Sequence, residues 1–246
     1  LLSDTAIMIP RTDDGRVLFA VPWHNKVVLG TTDTPVKEIS DEPVPLEEEV
    51  DFILSHIGRY LAKDPQRSDI KSMFAGLRPL VKGKTKKTAA LSRDHLIQVG
   101  ESGLITITGG KWTTYRKMAE EVVDIAIEKN GLENKPSVTA AMKLSGHDQP
   151  VLPADITGES EENLEQWVQH SVSTEMCITV DDFLARRTRQ LLLDTNAAIK
   201  AAPKVASILA EQFNKDKDWV QQQINNFSET AKKYIPSSNL PATGRP

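Results

Sequence analysis

The sequence predicts an α+β protein, in which antiparallel sheet and one strand-turn-helix unit precede an all-α C-terminal domain. Three observations predict it. Short β-rich runs separated by turn residues occupy residues 5–35 and 70–108. Within that region two segments, 46–61 and 113–129, carry apolar residues at helical spacing. Beyond residue 158 every periodic segment is helical and the β-rich runs stop.

The elements follow in chain order. "TAIMIP", "RVLFAVPW" and "KVVLGTTD" are separated by "RTDDG" and "HN", both turn chemistry, and predict an antiparallel meander. Residues 46–61 predict a helix with Leu46, Val50, Ile53, Leu54, Ile57 and Leu61 on one face. Glu47, Glu48 and Glu49 sit in its first turn, where the helix dipole favours negative charge, and Gly58 weakens its end. Strands return in "IKSMFAGLRPLV", "TAALSRDHLIQVG" and "GLITIT". A helix from 113 or 114 to 129 then carries Tyr115, Met118, Val122, Val123, Ala126 and Ile127, and Asn130-Gly131 signals its end.

Residues 136–158 are rich in Pro, Gly, Ser and Asp without periodicity and predict a linker between 1–135 and a helical domain, 159–246. That domain reads as "SEENLEQWVQHSV", "TVDDFLARRTRQLLLDTNAAI", "PKVASILAEQF" and "KDWVQQQINNFSETAKKY". Thr179 with Asp182 three residues on is a variant capping box, and Pro203 suits a first helical turn. The tail "IPSSNLPATGRP" predicts fraying.

Composition bounds the function. The 246 residues are 39% hydrophobic and 26% charged, which is that of a soluble globular protein with room for a sizeable core. A net charge of -4 and a pI near 5.8 give no global attraction to nucleic acid or anionic membrane. No apolar run approaches the roughly 20 residues of a membrane helix. The single cysteine, Cys177, excludes an internal disulfide and makes a reducing compartment the default. The start, "LLSDTAIMIP", lacks an initiator Met and a leader pattern and reads as the start of a piece of a longer protein; a processed N-terminus looks the same.

The segment "ITITGGKWTTYRK" carries the strongest chemical signal. Glycines permit close backbone approach, and the free N–H groups of a following helix start attract negative charge. The spacing is not that of a Walker loop, and no G-x-G-x-x-G occurs in the chain. The alternative is a plain strand-to-helix turn. Three cations stand near it in the pattern: Arg78 in "GLRPL", Arg93 in "LSRDH" and Lys111 in "GGKWTT". If the strands flanking "KGKTKK" form a hairpin centred between Thr85 and Lys86, Arg78 and Arg93 oppose each other. Like charges so placed imply an anion between them, since guanidinium forks match phosphate or carboxylate oxygens. The alternative is a different register and two unrelated solvated arginines.

Other candidates are weaker. The histidines 24, 56, 95, 147 and 170 have no metal-ligand spacing, so no metal is expected. "KGKTKK" reads as a solvated loop tip, "ARRTR" as an ion-paired helix face, and Cys177 as structural.

Taken together and in order, "IPRTDDGRVLFAVPW", "VLGTTDTP", "FAGLRPL", "LSRDHLI", "TGGKWTTYRKMAE" and "TVDDFLARRTR" resemble the aerobic-type, FAD-dependent glycerol-3-phosphate dehydrogenases. The resemblance covers the C-terminal part of such enzymes and is strongest over residues 6–120. It implies that 1–135 is a substrate domain joined to a strand-helix piece of the FAD domain, 104–130. It further implies that Arg78, Arg93 and Lys111 bind substrate phosphate and its surroundings. Gly109, Gly110, Lys111, Trp112, Thr113 and Thr114 would meet the ring end of FAD, the helix start stabilising negative charge there. The implied reaction moves a hydride from C2 of sn-glycerol 3-phosphate to the flavin and yields dihydroxyacetone phosphate, with electrons passing to a quinone or another acceptor. The general base is unassigned. The implied location is cytoplasmic, with peripheral association at the inner face of the cell membrane; no nucleic-acid partner is implied.

Without the dinucleotide fingerprint the chain is expected neither to retain FAD nor to oxidise substrate by itself. Alternatives are a glycerol-3-phosphate oxidase, an FAD-dependent amine or amino-acid oxidase, and a non-catalytic interaction module built on the helical region.

Overall fold

The computed structural model describes residues 4–78, 95–148 and 152–236. The described residues fall into two compact units: 4–76 together with 152–236, and 77–78 with 95–148. The expected single division at 136–158 therefore meets a chain that its compact units divide twice.

In the first unit the predicted meander is present. Strands β1 (Ile7–Ile9), β2 (Leu18–Trp23) and β3 (Lys26–Gly30) pair antiparallel in that order. His24 and Asn25 both have positive φ, 46° and 60°, so the two-residue "HN" connection is a left-handed turn that matches strand twist. One sheet face, with Ile9, Leu18 and Ala20 buried, packs on Ile57, Phe52 and Ile53 of α1 (Glu47–Gly58). The helix starts where its acidic turn predicts. Leu46 offers no capping oxygen, and Glu49 instead reaches back to the Leu46 N–H, 3.0 Å away. It stops at Gly58, before the expected Leu61, because the chain there folds against Asp64 and Pro65. Arg59 fastens the helix end to the β1–β2 connection through two bonds to Asp13, of 2.8 and 2.7 Å, and holds that carboxyl below its ordinary range.

The helices of residues 160–236 form the larger core. α3 (Glu161–Glu175) begins with Ser160 capping the Asn163 N–H. The capping box at Thr179 and Asp182 is present: the Asp182 carboxylate accepts from the Thr179 N–H, and Thr179 Oγ1 from the Asp182 N–H, both at 3.0 Å.

The long helix expected after it is not continuous. A π-helical segment, Asp182–Arg187, ends at Thr188, and α4 (Gln190–Leu193) precedes α5 (Thr195–Phe213). The interruption has one cause distant in sequence and one local. Buried Gln190 turns inward to bind the Ile156 N–H, and Asp194 caps α5 through the Ala197 N–H. Pro203 lies inside α5 rather than in a first turn. α6 (Lys217–Lys232) completes the group, and Val168, Phe183, Leu184, Leu209 and Phe227 form its buried centre.

The two stretches of this unit are joined by backbone and side chain. Thr195 N–H donates to Lys71 O at 3.1 Å and Met73 N–H to Tyr234 O at 2.9 Å. Tyr234 Oη donates to Glu42 at 2.6 Å, and Lys26 pairs with Asp155 at 3.3 Å. Residues 70–78, expected as a strand, are neither strand nor helix. Their backbone is partly committed to these two helical segments and not to a ladder.

In the second unit, β4 (His95–Val99) and β5 (Ile105–Gly109) form an antiparallel hairpin, and α2 (Tyr115–Lys129) follows. The Asn130-Gly131 end is as expected. Gly131 has φ 58°, its N–H meets Glu128 O, and the Leu132 N–H meets Ile127 O at 3.1 Å. Residues 136–148 are exposed, with turns and no regular element.

Leu209→Ala, in the buried helical centre, is expected to cost about 2–5 kcal/mol in urea unfolding of the chain. Ile178→Ala, at an exposed position, should stay within about 0.5 kcal/mol of the parent.

Candidate functional site

The chemistry-bearing turn lies between β5 and α2. In the hairpin His95 pairs with Gly109, Ile97 with Ile107 and Val99 with Ile105. His95, Ile97, Ile105, Ile107 and Gly109 are partly buried, while Leu96, Gln98, Thr106 and Thr108 between them are exposed. That alternation is the period of a strand with one covered face.

Gly109 and Gly110 follow each other with φ of 77° and 83°. Glycine is required here, because an L side chain rarely adopts this conformation. A Cβ on Gly110 would also meet the Met118 tip, with Cε 2.6 Å away, and His95 Cβ at 3.3 Å, so Met118 would have to turn aside. The chain thus reverses out of the sheet while pressed against α2.

Lys111 then returns to extended backbone, φ -129° and ψ 150°, and Trp112–Thr114 form one 3₁₀ turn that runs into α2. Thr114 ties the start together. Its Oγ1 accepts from the Lys111 N–H at 3.3 Å and donates to Lys111 O at 3.0 Å. Trp112 and Thr113 lead the helical run, where backbone N–H groups have no intrahelical acceptor. Lys111, Trp112, Thr113, Thr114 and Tyr115 are all exposed, Trp112 at 88%, and the Trp112 and Tyr115 rings lie 5.9 Å apart. The arrangement offers a cation, unshared helix-start donors and two aromatic faces together. It suits a planar, electron-accepting or anionic group.

Around this turn α2 carries its own charge pattern. Glu120 accepts from Arg116 and Lys117, each at 2.6 Å, and its carboxyl is pulled down to about 2, chiefly by Lys117 and then Arg116. Arg116 also donates to Thr139 at 3.1 Å. On the neighbouring face His95 Nε2 lies 2.6 Å from Glu121 Oε2. A carboxylate accepts only, so that ring nitrogen carries the proton.

The site residues predicted from sequence are thus placed unequally. Gly109, Gly110, Lys111, Trp112, Thr113 and Thr114 form one continuous turn. Arg78 is exposed and outside any regular element. Arg93, the "KGKTKK" tip and the proposed register between Arg78 and Arg93 lie outside the described residues. Sequence reasoning missed the His95–Glu121 pair, whose only signal was the shared spacing of Met118 and Glu121 on one helix face. Among the described residues no cluster of three or more histidine, cysteine or acidic side chains is placed to hold a metal ion. Also among them, no helix is long and apolar enough to cross a membrane.

Two family models match the chain. That of FAD-dependent oxidoreductases covers residues 2–116, and that of the C-terminal domain of alpha-glycerophosphate oxidase covers 114–220. They meet on the turn just described. The two matches define the class: an FAD-dependent oxidoreductase segment followed by a segment that matches the C-terminal domain of alpha-glycerophosphate oxidase.

Within that class the chain belongs to the glycerol-3-phosphate dehydrogenase family. It is 48% identical over 282 residues to a probable mitochondrial glycerol-3-phosphate dehydrogenase of Caenorhabditis elegans, covering 95% of this chain and 38% of that protein. It is 33% identical over 276 residues to the mitochondrial glycerol-3-phosphate dehydrogenase of Homo sapiens, covering 93% and 37%. The crystal structure of the Bacillus halodurans glycerol-3-phosphate dehydrogenase complexed with FAD superimposes with a TM-score of 0.76 at 27% identity, over 94% of this chain and 54% of that one. The chain spans well under half the length of these curated relatives.

The Glu120 carboxyl predicts a pH dependence. Its folded pKa lies below the ordinary 4.5, so its pairing contributes stability above that value and loses it as pH falls through about 2. The difference in melting temperature between the parent and Glu120→Gln is expected to shrink steadily from pH 5 to pH 2, and to shrink with added salt at pH 7. Gly110→Ala is expected to destabilise the chain by about 1–3 kcal/mol in thermal unfolding, chiefly because alanine resists a φ of 83°.

Proposed function

We propose that this chain forms the substrate-binding and C-terminal part of a flavoenzyme that oxidises sn-glycerol 3-phosphate to dihydroxyacetone phosphate. One observation carries the reading. Consecutive left-handed glycines open into a helix start bearing Lys111 and exposed Trp112, at the junction of the two matched family segments. The FAD in the Bacillus halodurans relative supports the same cofactor here.

The residues present fit one end of that cofactor. The Gly109–Gly110 turn lets backbone approach a flat ring closely, and the Trp112 and Thr113 N–H groups with Lys111 provide positive potential beside it. Nothing in the chain matches the dinucleotide fingerprint that would hold the ADP half. When bound, FAD supplies the acceptor for the hydride leaving C2 of the substrate.

The chain's own residues bind and orient. In this reading Arg78 and Arg93 would supply bidentate donors for the phosphate dianion, and Lys111 a further cation for phosphate and flavin. Holding the phosphate fixes C2 relative to the ring, which is where orientation lowers the barrier. The proton of the C2 hydroxyl leaves to a base that none of these cations can be. The sheet-bearing part, 1–135, serves the substrate and residues 104–130 serve the flavin, with 159–246 as the helical domain.

The acceptor reading is a quinone reached at the inner face of the cell membrane by peripheral association. A second reading has a specific support: the helical match is named for an oxidase, so oxygen is the alternative acceptor. Hydrogen peroxide formed in step with glycerol 3-phosphate consumption would select the oxidase. Reduction of a quinone analogue without peroxide would select the dehydrogenase.

Two outcomes test the proposal. In the complete gene product containing this chain, glycerol 3-phosphate is expected to raise the melting temperature, and Arg78→Ala to weaken its binding at least about tenfold by removing a charge-assisted bond. Stabilisation that survives Arg78→Ala and Arg93→Ala together would refute the phosphate assignment. The 246-residue chain by itself is expected to purify without flavin absorbance; one equivalent of co-purifying FAD would overturn the division of the cofactor site.

A further inference from the structure

We infer that the His95–Glu121 pair is a positioning device, which locks β4 to α2 and so sets where the Gly109–Gly110 turn and the helix start stand. The inference rests on the flavin reading above.

The argument begins with the grip on Gly110. Its missing side chain leaves the backbone pressed between Met118 of α2 and His95 of β4. The turn is therefore placed by two elements at once, and moves if they separate. Dispersion contacts hold such elements together but do not define their spacing sharply, since each contact is weak and non-directional. A hydrogen bond does define it. His95 Nε2 and Glu121 Oε2 are 2.6 Å apart, a short charge-assisted distance.

Its position is the one that matters. Met118 and Glu121 are three residues apart and share a face of α2. His95 is the strand residue directly opposite Gly109, which has no side chain to obstruct the ring. One face of two elements thus carries both the contact on Gly110 and the bond that fixes it. The imidazole is 21% exposed and the Glu121 side chain 38%, so water competes only in part. Lys117, 3.9 Å from Glu121, adds a second cation on the solvent side.

The residue choice also needs explaining. Ile97, Ile105 and Ile107 fill the same sheet face, and an apolar residue at 95 would continue it without desolvating an imidazole. What histidine adds is direction. Neither His95 nor Glu121 belongs to the exposed turn; both act on it through Gly109 and Gly110.

Two measurements test the inference. In the chain itself, His95→Ala and Glu121→Gln should each speed amide hydrogen exchange at Lys111 and Thr114 about tenfold, the loss of one charge-assisted bond. His95→Gln, which keeps an N–H at similar reach, should restore the parent rate. In the complete gene product, Glu121→Gln should lower kcat about tenfold while KM for glycerol 3-phosphate stays within about twofold, and shift the flavin potential downward. His95→Gln should again recover both.

Unchanged exchange at the turn would overturn the inference. So would faster exchange with an unmoved potential and kcat, which is what a purely structural pair would give. A parent gene product that binds no flavin would overturn the flavin reading and this inference with it, whereas a flavin-loaded parent with indifferent variants overturns the inference alone.

Discussion

Gly109 and Gly110 stand one after the other with φ of 77° and 83°, and the geometry of residues 95–129 depends on that pair. A side chain at Gly110 would collide with Met118, and an L-residue at either position would resist the backbone. With glycine, β5 ends and the helical run begins within a few residues, so that a sheet face, a lysine and a helix start share one location. The anion-favouring end of the helix is exposed because the turn puts it there. The chemistry is a consequence of the backbone reversal more than of any one side chain.

The other unit depends on a different kind of constraint. Residues 4–76 and 152–236 are distant in sequence yet share backbone hydrogen bonds, from Thr195 to Lys71 and from Met73 to Tyr234. Backbone groups withdrawn from water must find partners, and here helix ends and a stretch without regular structure satisfy each other. Tyr234 adds a bond to Glu42, and burial together with that carboxylate pushes its phenol upward from its ordinary range. The helical domain is thereby fastened to the segment that carries the first sheet. The stretch bearing the candidate site leaves and re-enters this unit between residues 76 and 152.

Local signals were legible where the local chain decides the outcome. The meander, the acidic start of α1, the capping box at Thr179 and Asp182, and the glycine that closes α2 all follow from nearest-neighbour chemistry. Two of the differences fell where distant residues intervene. Residues 70–78 look like a strand, but their backbone bonds go to helical segments. The apolar period across 179–199 looks unbroken, but Gln190 is drawn inward by Ile156 and interrupts it. Pro203 looks like a helix start, yet α5 begins at Thr195 because Asp194 supplies the cap. In the first two cases tertiary partners outweighed a weak local preference, and in the third a capping aspartate upstream did.

By itself the sequence determined the class of elements, the glycine turn with its lysine and threonines, and, through six ordered motifs, the family. These are properties of residue type and spacing, which a chain carries wherever it folds. Only the tertiary structure decided that helices after residue 158 close the same unit as the first sheet, and that His95 meets Glu121 across the face that grips Gly110. Such pairings join residues 26 or more positions apart, and no local period encodes which distant partner a half-buried polar group will find.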